Sequence, residues 1–156
     1  GYAAELGHTL VRTGGALCRC GRRGCLEAEV SLHGLLEILG RSTIDQDELD
    51  IELGTSRDPR LLAEVTRQTA LLAEGMSTFI HLFNPRMVVL GGFLGSLLSA
   101  GRERLSVEVS SRTLSEFRRS VRIERAALRS RLELVGATEP LFDRALADPA
   151  AAGAIR

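Results

Sequence analysis

Cys18, Cys20 and Cys25 are the only cysteines of the sequence, they fall within eight residues, and His8 stands upstream of them. Thiolate and imidazole are the donors zinc takes in closed tetrahedral structural sites, and three cysteines with one histidine is a usual set of four. Gly14, Gly15, Gly21 and Gly24 punctuate the segment, and residues without Cβ can adopt the positive φ values that fold a short backbone around an ion. Arg12, Arg19, Arg22 and Arg23 interleave with the sulfurs. Their charge favours the deprotonated thiols that a metal needs. Three other readings compete: buried reduced cysteines beside an unrelated histidine, a disulfide, and a redox pair. A Gly- and Arg-rich segment suits an apolar core poorly. Cys18 and Cys20 are too close to bridge comfortably, and any disulfide leaves an odd cysteine. C-x-C is also not the C-x-x-C spacing of thiol oxidoreductases. Structural Zn2+ on His8, Cys18, Cys20 and Cys25 is the reading these residues favour.

The run E-L-G-H at residues 5–8, followed by C-R-C-G-R-R-G-C-L-E at residues 18–27, resembles the signature of the ROK family. That family contains bacterial sugar kinases and the sugar-responsive repressors related to them. N-P-R-M-V-V-L-G-G at residues 84–92 resembles its second element. The resemblance implies an actin-like, ribonuclease-H-like ATPase fold in two lobes, with residues 1–156 forming most of the C-terminal lobe. Residues 1–27 would be a strand plus zinc loop within it. It also implies that Glu5, His8 and Glu27 contact sugar hydroxyls. His8 would then place one ring nitrogen on the metal and turn the other to the sugar, since a polar partner normally orients a metal-bound histidine.

In kinases of this family the catalytic aspartate and the first phosphate loop, D-x-G, belong to the N-terminal lobe. Neither can be assigned here, so this polypeptide alone is not expected to turn over. The kinases usually continue the G-G element with another small residue, whereas Phe93 follows Gly92. Arg129-Ser130-Arg131 stands where a compact turn is expected, ahead of Gly136-Ala137. Bulky and charged groups there would crowd a nucleotide. The end of the chain, L-F-D-R-A-L-A-D-P-A, resembles actinobacterial ROK repressors. The expectation is therefore the sugar-binding domain of a transcriptional regulator, with DNA contacted only through a preceding winged helix-turn-helix. The lobe of a sugar kinase using ATP and Mg2+ is the alternative. A third reading is an oligomerisation module with an unused cleft, for which Ala4 (usually glycine) and the bulky Tyr2 leave room. Family members are commonly dimers or tetramers.

The chain of 156 residues is 44% hydrophobic and balances twenty basic against twenty acidic residues. That is ordinary for a globular domain with a real core, and it lacks the basic stripe of a nucleic-acid-binding face. Neither a membrane span nor a signal peptide is visible, and clustered reduced cysteines favour the cytoplasm. The chain begins at Gly1 with the motif following at once, which suggests a piece of a longer protein.

The elements that must position the site read as follows. Residues 7–12 form a short strand. Residues 25–39 form a helix with Leu26, Val30, Leu35 and Leu39 near one face, a break at Ser31 and a C-cap at Gly40. Residues 41–58 form an acidic connection with a short helix; Asp45, Asp47 and Glu48 lack the glycine and final glutamate of a calcium loop. Asp58-Pro59 starts the strongest helix, of about six turns, burying Leu61, Val65, Leu72, Met76, Phe79 and Phe83. Gly75 within it lets another backbone approach. His33 reads as a surface residue, and His81, next to the helix end, as a capping or surface residue. Residues 87–90 form a strand covered on both faces. Gly91 and Gly92 then open a helix, an arrangement that can point N–H groups at a nucleotide phosphate but also ends buried strands for steric reasons. Residues 120–127 give an outer strand, and residues 132–146 a last helix that Pro140 kinks or restarts. The order of elements argues an α/β domain whose mixed sheet is flanked by helices.

Overall fold

A computed structural model describes residues 5–118 and 121–148. Tyr2, Ala4, Ser120 and the tail from residue 149 onward, on which the sequence also raised expectations, lie outside the described residues.

The longest element begins where two local signals coincide. The Asp58 carboxylate accepts the Arg60 N–H at 2.8 Å, and Pro59 occupies the first helical position, where its missing N–H costs nothing. The helix α4 (Pro59–Phe83) runs for 25 residues, about seven turns. Leu61, Val65, Leu72 and Met76 are buried as the periodicity predicts, and Ile80 completes the stripe. Phe79 is only half-buried and Phe83 is exposed; only past Ile80 does the helix run clear of the core, up to the left-handed cap at Asn84 (φ 43°). Gly75 makes room for a side chain, not a backbone: a Cβ there would stand 2.9 Å from Leu26 Cδ2.

The segment ahead of α4 divides as the cap residues dictate. Ahead of α1 (Leu26–Glu29) lies Cys25, and α2 (Leu32–Leu39) starts at Ser31, whose Oγ accepts the Gly34 N–H at 3.3 Å. Gly40 closes α2 at φ 67°. Asp45 caps α3 (Gln46–Thr55) by accepting the Glu48 N–H at 2.8 Å. His33 is a surface residue, paired with Glu37 at 3.2 Å.

Beyond α4, the described sheet is two parallel strands, β1 (Met87–Leu90) and β2 (Arg122–Arg125), in register from Met87 opposite Arg122 to Leu90 opposite Arg125. The expected mixed sheet is thus replaced, among the described residues, by a parallel pair. Its crossover holds α5 (Gly92–Arg112) and α6 (Ser115–Arg118), the long connection that parallel strands require. Nor is β1 covered on both faces. Successive side chains alternate, and α5 packs against one face only, so Leu90 is buried while Met87 and Val89 are exposed. Within α5, Gly101 breaks the helical geometry with φ −132° and ψ 31°.

The last helix, α7 (Leu132–Ala147), passes through Pro140 without a restart. The carbonyl that loses its partner belongs to Gly136. Both residues are exposed, so that group is open to solvent rather than stranded in the core. The core is assembled where α4 lies along α5, with α2 and α3 against them. Leu35, Leu49, Leu61, Ile80, Leu97, Leu98 and Leu105 are its largest fully buried apolar side chains, each contributing about 1.5–3 kcal/mol. Among the described residues no helix is long and apolar enough to cross a membrane.

Candidate metal centre

The strand expected over residues 7–12 does not form. Residues Leu6–His8 make a 3-10 turn, and only Leu10 pairs, through one antiparallel bridge to Cys25. The Gly24 carbonyl accepts the N–H groups of both Val11 and Arg12, at 2.9 and 3.3 Å, which curls this segment instead of extending it. Residue 24 must be glycine for this: its φ is +82°, and a Cβ would stand 1.6 Å from the Arg12 carbonyl oxygen. A second bridge joins Leu17 to Arg23. Between them the chain reverses through Cys18 O accepting the Gly21 N–H at 2.9 Å, with Gly21 at φ 85°.

The two reversals bring four donor atoms together, one from each of His8, Cys18, Cys20 and Cys25, all within 4.8 Å of one another. Cys18 Sγ lies 3.5 Å from His8 Nδ1, and Cys20 Sγ lies 3.7 Å from Cys25 Sγ. A tetrahedron with Zn–S of about 2.3 Å and Zn–N of about 2.0–2.1 Å has S···N edges near 3.5 Å and S···S edges near 3.8 Å. The donor types and both distances fit such an ion. All three cysteines are free, and the closest sulfur pair is far beyond the S–S bond length of about 2.05 Å. Zinc bound there would supply a rigid, redox-inert tie across the loop.

Cys18 and Cys25 are buried and Cys20 is exposed. The Arg22 N–H and guanidinium draw Cys20 down to about 6. For Cys18 the largest influence, the Cys20 N–H, also lowers. It is outweighed by burial and by hydrogen bonds with Cys20, Glu27 and Cys25, which push the thiol up to about 12. The hydrogen bond from Cys18 holds Glu27 below the usual carboxylate range, and the charges of Arg19 and His8 act in the same direction.

Of the residues that the family resemblance assigns to sugar, His8 and Glu27 stand together. Glu27 Oε1 is 3.5 Å from His8 Nδ1, 3.2 Å from Cys18 Sγ and 3.1 Å from Arg19 Nε. The sequence reading missed this direct contact between Glu27 and the sulfur cluster. With Nδ1 turned to the sulfurs, Nε2 is the ring nitrogen left for another group. Glu5 shares the turn with His8, its carbonyl accepting the His8 N–H at 3.1 Å, and is exposed. Beside them opens a largely apolar pocket of about 410 Å³, with Gly7 and Glu27 among its lining residues and Phe79, Val88 and Phe93 elsewhere on its wall.

Gly91 and Gly92 are placed apart from the sulfurs, as the N-cap and first residue of α5. The Gln46 amide donates to the Gly92 carbonyl at 2.6 Å, and Arg125 packs so closely that a Cβ on Gly95 would stand 3.0 Å from its Cγ. Arg129–Arg131 is itself a compact 3-10 turn, with Ser130 Oγ 3.3 Å from Asp47 Oδ2. The one buried carboxylate of the loop region that sequence reasoning did not single out is Glu29. Nothing in the run L-E-A-E distinguishes it from a solvent-facing helical glutamate.

These features define an α/β domain built around a Cys₃His loop. The chain belongs to the ROK family, whose profile matches residues 1–142. Glucokinase of Thermotoga maritima is 33% identical over 108 residues, covering 59% of this chain and 34% of that protein. The xylose repressor of Caldicellulosiruptor bescii is 28% identical over 168 residues, covering 96% of this chain and 41% of the repressor. Among solved structures, the ROK hexokinase of Thermus thermophilus superposes with a TM-score of 0.60 at 28% identity, over 88% of this chain and 48% of the hexokinase. A ROK family transcriptional regulator superposes at 0.64 and 19% identity, over 77% of this chain and 33% of its own. The fold is thus that of the ROK sugar kinases and regulators, and the chain spans between about a third and two-fifths of the curated relatives' length.

Proposed function

We propose that this chain is the sugar-sensing C-terminal lobe of a cytoplasmic, oligomeric ROK-family transcriptional regulator, with zinc on His8, Cys18, Cys20 and Cys25. Glu5, His8 and Glu27 contact hydroxyls of a small sugar, and the chain by itself transfers no phosphate. The observation that carries the preference for sensing over phosphorylation is at the glycine pair. Phe93, bulkier than the small residue that usually follows the pair in the family's kinases, stands directly after it and lines the apolar pocket beside Glu27. The similarity to the xylose repressor along 96% of the chain supports the same reading, against 59% for the glucokinase and 88% for the hexokinase. A sugar acts on DNA affinity only if it binds one arrangement of the protein better than another. The zinc loop meets that need by giving His8 and Glu27 fixed positions.

Titration calorimetry of the full-length protein with glucose, xylose and N-acetylmannosamine, alongside an assay of ADP release with ATP and Mg2+, tests this. One sugar binding without ADP release is the expected result. Sustained ADP release would make the protein a kinase, and absence of binding by any of the sugars would leave an oligomerisation module with an unused cleft.

A further inference from the structure

Glu29 lies in α1, two residues past Glu27, and is only 2% exposed. Its Oε1 accepts the Ala16 N–H at 2.6 Å. Its Oε2 faces Arg67 Nη1 of α4 at 3.0 Å and Arg12 Nη1 at 3.6 Å. Its own backbone carbonyl accepts Arg67 Nη2 at 2.8 Å. Residue 15 has to be glycine for the carboxylate to reach Ala16, since a Cβ there would stand 1.8 Å from Glu29 Oε1. Arg67 is held in turn by Glu64, at 2.8 Å to each carboxylate oxygen, and Glu64 accepts from Gln68, whose amide also reaches the Ser31 carbonyl at 3.0 Å. A continuous polar path therefore runs from the metal loop to the longest helix of the domain.

Burying a carboxylate is expensive even when it is paired, and apolar residues of similar volume often fill such a site at least as stably. Core stability alone is a poor account of this pair. What the carboxylate does that a hydrophobic side chain cannot is accept the N–H of Ala16, two residues ahead of Cys18. We infer that Glu29 is a positioning residue for the metal loop. By fixing Ala16 against Arg67, it sets Cys18 where that sulfur meets both His8 and Glu27. The inference rests on the metal reading of the site, and on the sugar reading only for its last arm.

Glu29→Gln preserves volume and an acceptor oxygen, Glu29→Leu keeps a comparable volume but no acceptor, and Arg67→Met removes the partner on α4. Zinc affinity of the full chain, measured by competition with a chromophoric chelator, should fall about tenfold or more in Glu29→Leu, the range seen when groups that orient metal ligands are lost. The fall should be smaller in Glu29→Gln and in Arg67→Met. Hydrogen exchange of the Ala16 amide in the metal-free protein should quicken in Glu29→Leu and stay close to wild type in Glu29→Gln, while protection in the middle of α4 is retained. Unchanged zinc affinity in Glu29→Leu overturns the inference, as does a loss of zinc affinity matched by lost protection throughout α4. Should Glu29→Leu fail to fold, wild-type zinc affinity in both Glu29→Gln and Arg67→Met overturns it instead. A wild-type chain that binds no zinc sinks the inference and the metal site together. If zinc affinity responds as expected but no variant binds a sugar, the positioning role stands and the sugar reading falls.

Discussion

Glu27 Oε1 stands 3.2 Å from Cys18 Sγ, so the carboxylate proposed to contact sugar touches a sulfur of the proposed metal set directly. Metal occupancy and carbohydrate affinity should therefore move together. Cys20→Ser removes the exposed sulfur of the set and leaves Glu27 chemically intact. Its zinc content by mass spectrometry should drop, and sugar affinity by calorimetry should fall about tenfold or more, as when outer partners of a metal site are lost. A zinc-free variant with wild-type sugar affinity would break the link.

Two glycines of the loop separate strain from collision. Gly21 and Gly24 both have positive φ, at 85° and 82°. A Cβ on Gly21 would meet nothing within 4 Å, whereas one on Gly24 would sit 1.6 Å from the Arg12 carbonyl oxygen. Gly21→Ala should cost roughly 1–2 kcal/mol of left-handed strain and keep its zinc. Gly24→Ala should lose zinc at every accessible concentration, since a backbone carbonyl must move to admit the methyl group. Equal zinc content in the two variants would contradict this account of the loop.

Local chemistry made much of the architecture legible. Asp58-Pro59, Ser31 and Gly40 mark helix ends through bonds made within a turn or two, and all three act where the sequence puts them. The grouping of His8, Cys18, Cys20 and Cys25 was equally plain, because zinc draws on a short menu of side chains. What failed depends on contacts distant in sequence. Residues 7–12 have strand-like composition, but Gly24, far along the chain, takes their N–H groups and curls them. Val89 reads as interior because it is apolar, yet which face of a strand α5 covers is not written in the strand itself. Glu29 looks like any helical glutamate until Arg67 of α4 and Ala16 of the loop are seen on either side of its carboxylate.

The same contrast yields a stability prediction. Leu35 of α2 is fully buried in the core cluster, whereas Met87 of β1 is exposed. Leu35→Ala should lower unfolding free energy by about 2–5 kcal/mol, and Met87→Ala by no more than about 0.5 kcal/mol, as read from urea midpoints. A cost for Met87→Ala comparable to that of Leu35→Ala would mean that the exposed face of β1 is covered in the protein as it exists in solution.

Acid should unfold the domain partly through Glu64. Hydrogen bonds from Arg67 hold this carboxyl below its usual range; burial opposes them, and Gln68 reinforces them. A folded-state value lowered in this way contributes stability that is fully present above the unfolded value, about 4.3, and is lost as pH falls through the folded one. Glu27 and Asp58 are lowered as well and act with the same sign. Glu64→Gln abolishes the titration at one of these positions. Its unfolding free energy should lie below that of the wild type at neutral pH, and the difference should shrink steadily between about pH 5 and pH 3. Urea unfolding followed by circular dichroism across that window measures the slope. Parallel curves for the two proteins would show that the Arg67 contact contributes nothing to the acid limb. A Glu64→Gln chain more stable than wild type at neutral pH would show that the half-buried pair costs more than it returns.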